Sequence, residues 1–152
     1  MSKVTPIDDD HTIVRKISKS RIVLDQLTGE YVPLPSAFEL RTSINEDYLS
    51  ASWLEFFGSM FEQSMTETVR MLRKCTNIRD GDRCGFAVGQ VTAIKETCRS
   101  FNRNIRIVHE KGHPNPAYAA VRQIGPNDGD LMEELAKGPW RKLHMNAEFP
   151  ES

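Results

Sequence analysis

Dry and wet positions alternate in two stretches of the chain. From Thr12 to Ile17 the β-branched residues Ile13, Val14 and Ile17 bracket Arg15 and Lys16, and from Asn104 to Glu110 isoleucine alternates with arginine before Val108. Both patterns predict a strand with one buried face. Arg21 to Leu24, Leu49 to Trp53, Gly85 to Val91 and Ala117 to Ile124 are β-branched or small-residue runs of strand length. The period lengthens to that of a helix in three places. Ser64 stands three residues before Glu67 as a capping box, and Met65, Val69 and Leu72 share a face, which predicts a helix over Met65 to Cys75. Thr92 as N-cap opens a second over Ala93, Ile94, Thr97, Cys98 and Phe101. Asp128 to Lys137 forms the last, stopped by Gly138-Pro139, with Trp140 docking on the body.

Between these lie segments with weaker patterns. Leu27 to Pro35, with Thr28-Gly29 and prolines on either side of Leu34, predicts a loop. Ser36-Ala37-Phe38 reads as extended, and Leu54, Phe56, Phe57, Met60 and Phe61 as a buried helical turn. Trp53 joins them in the expected core. The order of elements predicts one α+β domain over residues 11–145, with a mixed central sheet of about four to six strands and about three or four helices. An acidic tail, 1–10, and a flexible C-terminal tail, 146–152, are expected on either side.

Composition agrees with a globular chain: 39% of residues are hydrophobic and 27% charged. Cys75, Cys84 and Cys98 are odd in number and sit in regular elements, so they are expected as reduced thiols, which points to the cytoplasm. No apolar run approaches the roughly 18 residues of a membrane span, and MSKVTPIDDDH carries no apolar stretch of signal type, so no membrane partner is expected. Net charge is −1, but nine basic against four acidic residues concentrate over 67–106. Arg70, Arg73, Arg99 and Arg103 are therefore candidates for a weak nucleic-acid face, although the aromatic interleaving of single-strand binders is missing and such charges also serve to solvate helices.

Three groups of residues bear on chemistry. His109-Glu110-Lys111-Gly112-His113 matches the H-E-x-x-H zinc pattern, which needs both histidines one helical turn apart on one face. Strand-like residues before it, Gly112 within it and Pro114 after it argue against that helix, so no metal is expected there. Pro114 and Pro116 instead build a rigid, solvent-facing loop that makes His113 and Asn115 first-ranked binding residues. Arg15, Ser36, Arg41, Ser50 and Ser52 form the third group: an arginine projecting from a sheet toward serines can grip a phosphate or carboxylate through charge-assisted hydrogen bonds. No glycine-rich phosphate loop and no cofactor motif is present.

Ile13-Val14-Arg15-Lys16-Ile17, Ser36-Ala37-Phe38, Leu49-Ser50-Ala51-Ser52-Trp53 and Asn115-Pro116-Ala117-Tyr118-Ala119 together resemble a scattered group of short uncharacterised bacterial proteins. Those carry an arginine-bearing strand, a Ser-Ala-Phe segment, a Leu-Ser strand and an Asn-Pro-Ala-His-Ala strand, and Tyr118 stands here in place of their histidine. The resemblance implies the fold and an accessory role in mobile-element or defence-type clusters, and no mechanism. An arginine on the first strand, a serine-bearing strand and a later polar loop also follow, as an analogy of strand order, the layout of ADP-ribosyltransferase-like folds, in which Glu110 would take the directing carboxylate's place. The leading expectation is a non-enzymatic interaction module, an accessory subunit docking on a larger protein. The alternatives are a small enzyme acting on NAD or a phosphate ester, and a weak nucleic-acid binder.

Overall fold

In the computed structural model, which describes residues 4–150, a single antiparallel sheet organises the chain. Its strands are β1 (Val4–Pro6), β2 (Thr12–Ile17), β5 (Tyr48–Trp53), β6 (Gly85–Gln90), β7 (Arg106–Glu110), β8 (Tyr118–Arg122) and β9 (Leu143–Met145). They lie in the order β1-β7-β8-β5-β2-β6-β9. A separate hairpin joins β3 (Ile22–Asp25) to β4 (Glu30–Pro33). The described residues also form three α-helices, α1 (Phe61–Thr76), α2 (Val91–Arg99) and α3 (Gly129–Lys137), and five short 3₁₀ turns. The fold class is α+β as the sequence predicts. The main sheet has seven strands rather than four to six and is antiparallel throughout rather than mixed.

The sheet buries its two faces unequally. On one face Ile13, Ile17, Leu49, Ala51, Ala87, Ile107, Ala119 and Val121 pack beneath α2 and α3. Phe38 and Trp140 close this layer, stacked with centroids 4.9 Å apart, a contact that adds about 0.5–1.5 kcal/mol to their area burial. Gly89 makes room for them, since a Cβ there would lie 2.8 Å from the Trp140 ring. On the opposite face α1 covers only the β2–β6 half, setting Met65, Val69 and Leu72 against Val14 and Phe86. The β8 half of that face carries a small cluster of Val108, Tyr118 and Ala120 instead. A boundary between two covers therefore runs along β2 and β5.

Several segments depart from the sequence pattern, each because a distant partner overrides it. Residues 1–10 were expected as a tail, but Val4–Pro6 pairs with Glu110–Val108 and Ile7 is buried; residues 1–3 lie outside the described range. Residues 146–150 of the expected C-terminal tail are likewise anchored, with Asn146 wholly buried; 151–152 lie outside the description. Within the predicted loop 27–35, Glu30–Pro33 forms β4, because Gly29 at φ 74 turns the chain back onto β3. Pro35–Phe38 is a 3₁₀ turn rather than extended, started by a proline whose φ is preset. Leu40 exchanges hydrogen bonds with the Asn127 amide, which ties this turn to the start of α3.

The α1 helix begins three residues before the proposed cap, because the Ser64 hydroxyl donates to the Gly58 carbonyl instead. Val91 begins α2, one residue before Thr92, whose hydroxyl donates to the Asp9 carbonyl. α3 starts at Gly129, one residue into the predicted span, because Asp128 is its N-cap and accepts from the Asp130 and Leu131 amides. Phe56, Met60 and Phe61, expected in a buried turn, are exposed. No helix among the described residues is long and apolar enough to cross a membrane.

Candidate functional site: a cleft where the sheet parts

The ladder between β2 and β5 stops early. Ile13 pairs with Trp53 and Val14 with Ser52, and no residue pair follows, while β2 stays zipped to β6 over its full length. Arg15 fills the break. Its Nε donates to the Ala37 carbonyl at 3.1 Å, in the turn at Pro35–Phe38, and its Nη1 to the Ser50 carbonyl at 2.7 Å, bridging to β5 where no ladder pair forms. A guanidinium has five N–H donors, so three remain without a partner among the described residues. Burial pushes the Arg15 pKa down to about 10, with Glu46 opposing that shift; the group is still charged at neutral pH.

Above Arg15 lies a cleft of about 340 Å³. Leu72, Cys75 and Thr76 of α1 form one wall, and His113, Asn115 and Tyr118 the other. Arg21, Arg41, Glu39 and Glu46 stand at its end. Arg21 donates to the Ser36 carbonyl, so two arginines hold consecutive carbonyls of the turn at Pro35–Phe38. Glu46 receives three bonds from Arg41, from the backbone amide at 3.0 Å, Nε at 3.2 Å and Nη2 at 2.9 Å. These bonds hold its carboxylate below the usual range although burial works against them. Counting side chains, Arg15, Lys16, Arg21 and Arg41 face two carboxylates, so the lining is cationic.

The prolyl loop is built by Asn115. Its Nδ2 donates to the Ser52 hydroxyl at 2.6 Å and its Oδ1 accepts from the Ala117 amide at 2.9 Å, in an Asx turn buried to 3% exposure. The sequence places Asn115 on a solvent-facing loop; the structure corrects this, because its amide is what fastens the loop to β5. The Asn115 backbone amide donates to His113 Nδ1 at 3.0 Å, which puts the proton of the neutral ring on Nε2. His113 is exposed and lies flat on Tyr118, centroids 3.8 Å apart and 15° from parallel. Tyr118 in turn donates to the Tyr48 hydroxyl at 3.1 Å, and burial followed by that bond raises its pKa.

The sequence-predicted binding residues thus converge. Arg15, Arg41, His113 and Asn115 line one cleft; Ser52 lies under it on Asn115, and Ser36 at its edge on Arg21. Sequence reasoning missed Glu46 and Cys75. No local pattern marks them, because the αL turn at Asn45 and the register of α1 bring them in. Glu110, the carboxylate suggested by strand-order analogy, lies outside the lining and is paired with Arg122 at 2.5 Å.

The remaining candidates separate. His109 donates through Nε2 to the Pro116 carbonyl at 2.8 Å, packed near Trp53 and Phe56, while Glu110 follows on β7 and points to the other face. The H-E-x-x-H positions span a strand and a turn and share no helical face. Asp8, Asp10 and His11 bring ligand atoms within 4.8 Å of one another, but His11 Nδ1 accepts from the Trp53 indole N–H at 3.0 Å. A ligating imidazole donates through its second nitrogen, so this arrangement runs against metal binding. The four arginines proposed for nucleic acid do not form one surface, since α1 and α2 pack on opposite faces of the sheet. Arg70 pairs with Glu67, Arg103 Nη1 donates to the Ile124 and Pro126 carbonyls, and Arg73 is bound to the C-terminal segment; Arg99 is exposed. The chain matches no protein family, curated protein or solved structure.

Proposed function

We propose that the protein binds a small phosphate-bearing molecule in the cleft between β2 and β5. One observation carries this reading: Arg15 is drawn into the break of a sheet, where burial disfavours its charge, yet it spends only two of its five donors on the fold. Arg15 lines the cleft, where its remaining donors are available for charge-assisted hydrogen bonds to an anion. Arg21 and Arg41 add positive charge at the same end. An enzyme acting on NAD or a phosphate ester falls within the same reading, with His113 and Glu46 as the ionisable groups beside the ligand.

Cys75 provides the test. It is half-buried and lines the cleft, whereas Cys84 and Cys98 are buried with their thiols shifted up by desolvation. Alkylation by iodoacetamide should therefore modify Cys75 first. Ribose 5-phosphate and inorganic phosphate are expected to slow that labelling severalfold, ribose is not, and Arg15→Met removes the protection. Labelling that ignores all three compounds contradicts the proposal.

A second reading, the accessory subunit that docks on a larger protein, draws support from exposed apolar side chains. Val23, Leu24 and Tyr31 are exposed on the β3–β4 hairpin, whose tip residue Leu27 is 98% exposed. Such apolar surface rimmed by polar residues marks protein contacts. Capture of one stoichiometric partner by the wild type, lost in a Leu27→Ser, Tyr31→Ser variant, is the outcome this reading expects; no change on substitution contradicts it.

A further inference from the structure

Resting on the reading of the cleft as a phosphate site, we infer that its ligand is a single nucleotide, a phosphate monoester carried by a planar heterocycle that stacks on His113 while the phosphate sits among Arg15, Arg21 and Arg41. The volume sets the scale. A cleft of about 340 Å³ is at the low end of the roughly 300–1,000 Å³ typical of ligand sites, which suits one nucleotide.

The walls supply the ring's environment. His113 is immobilised from behind by Tyr118, 3.8 Å away and nearly parallel, and from its edge by the Asn115 amide. Tyr118 is held in turn by Tyr48. An imidazole fixed on one face and open on the other is a stacking platform whose ordering cost is already met before binding. Across the cleft, Leu72, Cys75 and Thr76 present an apolar to weakly polar wall, which accepts a ring without demanding charge.

Charge matching selects the phosphate. Four cationic and two anionic side chains line the cleft, an excess of two positive charges. A phosphate monoester carries about −1.5 to −2 near pH 7 and balances that excess, whereas a carboxylate balances half of it. Glu46 now occupies the Arg41 donors as an internal carboxylate. The ligand's phosphate competes with it, so Glu46→Gln is expected to tighten phosphate binding severalfold.

The experiment is a titration of the full chain at low ionic strength with AMP, ribose 5-phosphate and adenosine. AMP is expected to bind about tenfold more tightly than ribose 5-phosphate, the gain usual for stacking one base, and adenosine least well. His113→Ala should close the gap between AMP and ribose 5-phosphate, and His113→Phe should keep it. AMP affinity should fall as pH drops through about 6, where the phosphate gains its second proton. AMP and ribose 5-phosphate binding equally to the wild type overturns the nucleotide inference and leaves the phosphate site standing. A gap that survives His113→Ala also overturns it. Absence of binding by both phosphate esters overturns the site itself. His113 is exposed, so its variants should melt with the wild type, and equal melting temperatures verify that a lost gap reflects the platform.

Discussion

Two arginines, Arg15 in the cleft and Arg73 on α1, are both largely withdrawn from solvent and used in opposite ways. Arg73 gives Nε and Nη2 to the Asn146 side-chain oxygen at 3.1 and 2.9 Å, and Nη2 also to the Asn146 and Phe149 carbonyls at 3.1 and 2.5 Å. Asn146 completes the clasp by donating Nδ2 to the Arg79, Asp80 and Asp82 carbonyls. Every polar atom of that amide is used inside the protein, so the C-terminal segment is locked to the end of α1. Arg15 makes two bonds and faces a cleft. The contrast separates an arginine that is part of the scaffold from one whose capacity is left open, a distinction that composition and charge runs do not make.

The largest expected effect lies in the clasp. Asn146→Ala strips the partners from three carbonyls and from Arg73 at a site with no solvent exposure, and should destabilise by about 2–4 kcal/mol in urea unfolding. A loss under about 0.5 kcal/mol would break the contrast, because the clasp would then be ornamental.

A smaller effect comes from the closed face. Burial pushes the Cys98 thiol up to about 11 from an ordinary value of 9.0. The unfolded chain loses this proton first, so the stabilisation is full below about pH 9 and is lost as pH rises through about 11, amounting to roughly 2–3 kcal/mol. Cys98→Ala should flatten the fall of stability between those limits. Cys75 in the cleft should react with iodoacetamide at neutral pH while Cys98 stays protected.

The smallest expected effect is the most telling. Arg15→Met removes two hydrogen bonds but also a desolvated charge, and should change stability by about 1 kcal/mol or less in either direction. A loss as large as that of Asn146→Ala would make Arg15 a scaffold residue and remove the reason to read its cleft as a binding site.

The sequence reveals what is local. Alternation marks β2 and β7, the run that ends at Gly138-Pro139 marks α3, and Arg15, Arg41, His113 and Asn115 are legible because arginine on a strand and prolines around a polar pair are informative in themselves. It hides what depends on pairing across long separations. Val4–Pro6 becomes a strand only because β7 offers it an edge, and Asn146 is ordered by Arg73, 73 residues away. Ser64 satisfies the capping-box pattern, but the carbonyl of Gly58 captures its hydroxyl. Glu46 enters the cleft through a left-handed turn at Asn45, a geometry the surrounding residues do not announce.

The central claim is that Arg15 serves a phosphate-bearing ligand rather than the fold. Calorimetric titration of ribose 5-phosphate into the wild type and Arg15→Met, at one low ionic strength and with melting curves of both, tests it most directly. The account requires saturable binding to the wild type, at least a tenfold loss in the variant, and nearly equal melting temperatures; equal affinity in the two proteins contradicts it.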